Sequence, residues 1–104
     1  MSMRKLSENG KVAVLYSPEF GAGWYTWNLD HPEILFDPAM VKLVEKKQYD
    51  ELATYVELKY PGIYTGGMSN LQVEWIEEGT LFRVVEYDGA ESIEVNDEID
   101  WMIA

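Results

Sequence analysis

Thirteen consecutive residues, Tyr16-Ser17-Pro18-Glu19-Phe20-Gly21-Ala22-Gly23-Trp24-Tyr25-Thr26-Trp27-Asn28, hold five aromatic rings and two glycines. The chemistry this set can do is recognition. The rings of Tyr16, Phe20, Trp24 and Trp27 offer flat faces on which a planar heterocycle stacks, at ~1–3 kcal/mol per stacked base. Gly21 and Gly23 let another group approach the main chain closely and free backbone amides that can meet a phosphate without lysines. Ser17, Tyr25 and Thr26 add hydroxyls and Asn28 an amide. Together these residues form the candidate ligand-binding set. The competing expectation is that Trp24 and Trp27, three residues apart, plug the core, the glycines merely permitting the bend.

Other chemistries fit the chain less well. Gly21-Ala22-Gly23 lacks the third glycine of a dinucleotide fingerprint, because residue 26 is Thr, and the next residues are aromatic rather than the start of an amphipathic helix. The single histidine, His31, has Asp30 and Glu33 beside it, but neighbours in sequence do not converge on one metal ion. Asp97, Glu98 and Asp100 lack the glycine turn and ligand spacing of a calcium loop. Without cysteine, thiolate metal sites, disulfides and cysteine nucleophiles are excluded. Ser17 has no nucleophile-elbow pattern around it. A small hydrolase using His31 with carboxylates is the third-ranked reading, behind two binding readings. No cofactor and no metal is expected.

Charge supplies the second binding reading. The net charge of −11 is uneven: residues 1–47 carry six basic and six acidic side chains, residues 48–104 two basic and thirteen acidic. A broad basic footprint for nucleic acid is missing, so direct nucleic-acid binding is not expected. The acids Glu74, Glu77, Glu78, Glu86, Asp88, Glu91 and Glu94 are candidates for meeting a basic partner protein or mimicking nucleic acid. No apolar run approaches the ~20 residues of a membrane helix, and the first six residues are too polar for a signal peptide. A soluble, cytoplasmic protein is the expectation.

The framework around these residues can be read from pattern. Lys11–Tyr16 reads as a buried strand after the turn Glu8-Asn9-Gly10, and Pro18 blocks its continuation. Asp37-Pro38 is a helix start, Asp at the N-cap and Pro at the first helical position. The apolar stripe Met40, Val41, Val44 does not run on into Tyr49, Leu52, Ala53, Val56, Tyr60, so two short helices are expected, the second ending at Tyr60-Pro61-Gly62. Thr65–Asn70 reads as a loop. Leu71–Trp75 alternates with period two. Glu78-Gly79 and Asp88-Gly89 mark hairpin turns around the strand Leu81–Tyr87, and Glu91–Val95 completes a meander. The tail carries Ile99, Trp101 and Ile103, enough apolar surface to dock. The expectation is a single α+β domain over 1–104. It has a mostly antiparallel sheet, the N-terminal strand plus a C-terminal three-strand meander, with two short helices on one face.

Val14-Leu15-Tyr16-Ser17-Pro18, Gly21-Ala22-Gly23-Trp24, Thr26-Trp27-Asn28, Leu35-Phe36-Asp37-Pro38 and Tyr60-Pro61-Gly62 together resemble a family of small proteins encoded by bacteriophages and prophages. The likeness covers about residues 11–95, and its motifs define a family rather than a reaction. It implies a phage accessory setting in a host cytoplasm. There, small acidic proteins bind and disable basic host factors or sequester nucleotide immune signals. The leading expectation is therefore a non-enzymatic binding protein whose Gly–aromatic loop takes a small nucleotide-like ligand. Pockets of this kind are commonly built at subunit interfaces, which makes a homo-oligomer compatible with it.

Overall fold

A computed structural model describes residues 5–19, 23–95 and 102–103. Its elements in order are strands β1 (Ser7–Glu8) and β2 (Lys11–Tyr16), helices α1 (Pro38–Glu45) and α2 (Tyr49–Lys59), and strands β3 (Gln72–Glu77), β4 (Leu81–Tyr87), β5 (Ala90–Val95) and β6 (Met102–Ile103). Short 3-10 turns cover Tyr25–Trp27, Pro32–Leu35 and Met68–Asn70. The chain is an α+β domain with antiparallel pairing throughout its sheets, as its sequence predicts.

The strands are divided differently from the expected meander. One sheet has the order β1-β2-β3 and the other β5-β4-β6. β3 joins the N-terminal strand in the register Val12↔Ile76, Val14↔Glu74, Tyr16↔Gln72, while β4 leaves that sheet and pairs with β5. The reason lies in β2, whose Val12, Ala13, Val14 and Leu15 are all buried. A strand that is apolar on both faces must be covered on both.

On one face Ala13, Leu15, Val73 and Trp75 pack with Met40, Val41, Val44, Leu52 and Val56 of the two helices. On the other, Val12, Val14 and Ile76 pack with Leu35, Phe36 and Phe82, and with Val84 and Ile93 of the second sheet. Phe36 and Phe82 meet edge to face at 5.9 Å, a favoured aromatic geometry. A flat four-stranded sheet would leave this second face in water. Folding β4 and β5 over it gives three layers: helices, the β2 sheet, then the β4 sheet.

The helix boundaries follow the capping chemistry. Asp37 Oδ1 accepts the amides of Ala39 and Met40, and Pro38 opens α1. Lys47 takes a positive φ of 57° between the helices, which breaks the apolar stripe into two. The tail's Ile99 and Trp101 lie outside the described residues. Met102 and Ile103 pair with Phe82 and Leu81 as an added strand.

Candidate functional site

The loop after β2 is closed by a side chain from the far end of the sequence. Glu91, on β5, is 2% exposed. Its Oε1 accepts the Ser17 amide at 3.0 Å; its Oε2 accepts the Trp24 amide at 2.9 Å, the Thr26 amide at 2.8 Å and the Thr26 hydroxyl at 2.7 Å. The Glu91 amide in turn donates to the Ser17 carbonyl at 2.8 Å. Four donors converging on one carboxylate satisfy a group that is costly to bury bare. The loop amides of Ser17, Trp24 and Thr26 are therefore taken up within the chain.

The two tryptophans part company. Trp24 is fully buried among Leu15, Ile34 and Met40, and its indole Nε1 donates to the Ile34 carbonyl at 3.4 Å. Trp27 is 57% exposed and lies against Tyr64 with ring centroids 5.5 Å apart and a 34° tilt. Trp24 thus behaves as the core plug, and Trp27 as a surface ring.

The setting of Trp27 is well ordered by its neighbours. The buried Asn28 amide donates to the carbonyls of Trp24 (2.8 Å) and Tyr64 (2.9 Å), and its oxygen accepts the Tyr64 amide at 2.8 Å. Gly23 has φ +99°, and a Cβ there would strike the Trp27 indole. A Cβ at Gly66 would strike the Tyr64 ring, and one at Gly67 would meet the Gly23 carbonyl and Ser17 Oγ. Gly23 does leave room for a close approach to the backbone, and the group that takes it is the chain's own Trp27 ring.

The remaining candidates are distributed around this centre. Phe20 and Gly21 lie outside the described residues. Tyr16 is half-buried, its phenol pKa pushed up by burial and then by the negative charge of Glu74. Tyr25 is partly buried, and burial raises its phenol as well. Ser17 is fully buried, with its hydroxyl unpartnered among the described residues. Burial closes the Ser17 side chain off from an outside substrate. His31 Nδ1 lies 3.3 Å from Glu33 Oε1, with both side chains more than 40% exposed.

The acidic residues of the second binding reading have different surroundings. Glu91 is internal, Glu94 is paired with Arg83 at 3.2 Å, and Glu86 caps the Gly89 amide in its own turn. Glu74 and Glu77 lie on the other sheet. Glu78 and Asp88 are exposed at the turns after β3 and β4. Among the described residues no three His, Asp or Glu side chains are placed to hold a metal ion; Asp97, Glu98 and Asp100 lie outside them.

Two features are not anticipated from the sequence. One is Glu91 itself, although its signal is present: period two puts it on the same strand face as Ile93, which packs into the core. The other surrounds Asp37. Besides capping α1, its carboxylate accepts the Tyr55 hydroxyl (2.8 Å) and the Lys59 ammonium (3.1 Å) from α2 and the hydroxyl of Tyr60 (2.6 Å), the residue that follows α2. Burial pushes the Asp37 pKa up, but the bonds from Tyr60, Tyr55, Lys59 and the Met40 amide outweigh it and hold the carboxyl below its ordinary value. Burial, then the bond to Asp37, raises the Tyr60 phenol. Bonds to Tyr55 and Asp37 raise the Lys59 ammonium. Phenols and ammonium are thereby kept as proton donors to one carboxylate. That arrangement ties the helices together and supplies no base or nucleophile.

A shallow concavity of about 370 Å³ lies at the turn between the helices, lined by Lys47, Gln48, Tyr49, Asp50 and Glu51, with no aromatic loop residue in it. No helix among the described residues is long and apolar enough to cross a membrane. No family model matches the chain, no curated protein matches it, and no solved structure matches it.

Proposed function

We propose that this is a non-enzymatic binding protein that holds a small planar ring, the base end of a nucleotide-like ligand, against the Trp27–Tyr64 pair. The observation that carries the reading is an exposed indole held in place by its surroundings: Trp27 is open to solvent, backed by Gly23 and tilted against Tyr64, whose backbone is fastened by Asn28. Large exposed aromatic rings on rigid supports lose little conformational entropy when they bind. The ligand's phosphates have a smaller part than the loop's glycines suggest, since the loop amides of Ser17, Trp24 and Thr26 already have an acceptor. Within the phage setting that the resemblance implies, the role would be to sequester a host signal that carries such a ring. The test is tryptophan quenching by a panel of nucleosides and nucleotides. Trp24 is buried and Trp75 lies apart on β3, so the saturable quenching that a ring on the platform causes should vanish in Trp27→Ala. No saturable response to any member of the panel, or one that keeps its midpoint in Trp27→Ala, refutes the reading.

A further inference from the structure

We propose that Glu91 sets the charge selectivity of the Trp27–Tyr64 platform, admitting uncharged and cationic planar rings and turning away anionic ones. The inference rests on the platform reading above and adds which ligands that platform takes.

Three observations lead to it. Glu91 accepts both the amide and the hydroxyl of Thr26, the residue joined directly to Trp27, so its carboxylate sits at the root of the platform. Its remaining bonds take up the Ser17 and Trp24 amides, so these two donors are not open to an incoming phosphate or carboxylate. All four partners are uncharged. They satisfy the carboxylate without neutralising it, so its field reaches the neighbouring surface.

Burial decides how much that field matters. The exposed acids of this strongly acidic chain are screened by salt within about a Debye length, ~8 Å at physiological ionic strength. Glu91, at 2% exposure, is shielded from counterions and acts through protein rather than water. A ligand anion on the platform is therefore repelled by this one residue even where the surface charge has been screened away. A cationic ring gains from the same field.

The experiment uses three probes that share one ring system: adenosine, 1-methyladenosine, which is cationic, and AMP, which is anionic. Binding to the full chain is followed by tryptophan fluorescence, with Trp27→Ala as the blank, in about 0.5 M NaCl to suppress the exposed charges. Adenosine and 1-methyladenosine should bind, and AMP should bind about tenfold more weakly. E91Q, which keeps the shape and removes the charge, should bring AMP within about threefold of adenosine. E94Q removes the same charge from an exposed position and should leave the gap as it is.

AMP binding the wild-type chain as tightly as adenosine overturns the proposal with no variant needed, as does a folded E91Q that keeps the full gap. Should E91Q fail to fold, the order of the three probes on the wild-type chain decides. If none of the three binds, the platform reading falls and this inference with it. If all three bind alike, only the role of Glu91 falls.

Discussion

Replacing Glu91 by alanine takes the acceptor away from four donors at once. The Ser17 and Trp24 amides are in buried surroundings, whereas the Thr26 amide and hydroxyl are partly open and can turn to water. An unsatisfied buried donor costs about 1–3 kcal/mol, so two of them cost about 2–6 kcal/mol. Relief from no longer burying a carboxylate, and water entering the space left behind, offset part of this. Glu91→Ala should therefore lose about 2–4 kcal/mol, and the melting temperature of a domain this size should fall by at least about 8 °C. E91Q keeps an oxygen on three donors and turns its NH₂ towards the Ser17 amide, so its loss should be smaller, about 1–2 kcal/mol. The assay is urea unfolding followed in parallel by far-UV circular dichroism and tryptophan fluorescence. Glu94→Ala is the control: its exposed pair with Arg83 should contribute no more than about 1 kcal/mol. A Glu91→Ala protein within about 1 kcal/mol of Glu94→Ala refutes the claim that the carboxylate organises the loop.

Trp24→Ala should cost about 3–5 kcal/mol by emptying the core, and Trp27→Ala under about 1 kcal/mol because the ring is largely exposed; equal losses in calorimetry would contradict the division between plug and platform. Gly67→Ala puts a methyl against the Gly23 carbonyl and Ser17 Oγ and should destabilise by about 1–3 kcal/mol, shifting the Trp24 amide resonance, whereas Gly79→Ala, at a turn with open space around it, should leave that resonance in place. Asp37→Asn should lower stability at pH 7 by about 1.5–3 kcal/mol through weaker bonds to Tyr60, Tyr55 and Lys59. Because the folded Asp37 pKa lies below the unfolded one, its contribution is complete above the unfolded value, about 4, and is lost as pH falls through the folded value. Melting curves of the two proteins should accordingly converge in acid, and a constant gap from pH 7 down to about 2 would count against the cluster.

Much of the fold is legible in the sequence because its determinants are local. Asp37-Pro38 starts a helix by capping chemistry alone, and Lys11–Tyr16 and Leu81–Tyr87 are strands by residue type. The partition into two sheets is not, because the turn at Glu78-Gly79 looks the same whether the next strand stays in the sheet or folds over it. What decides is that β2 is apolar on both faces, a fact about packing partners remote in sequence. The site divides in the same way. Residue types point to the segment around Trp24 and Trp27, but three-residue spacing does not say which ring turns inward. Nor can any local pattern announce that the amides of Ser17, Trp24 and Thr26 find their acceptor at residue 91.

That separation has a consequence in time. The bond from Ser17 to Glu91 closes a span of 74 residues, and β2 cannot pair with β3 until residues 72–77 exist. Contacts of such long range are made slowly and late, since the chain entropy of closing them comes before their reward. On a chain emerging from the ribosome, α1 and α2 can form while the aromatic segment still waits for its anchor. The platform is therefore among the last parts to take shape, and a chain cut short before residue 91 would present those rings unorganised, as a sticky segment rather than a binding surface.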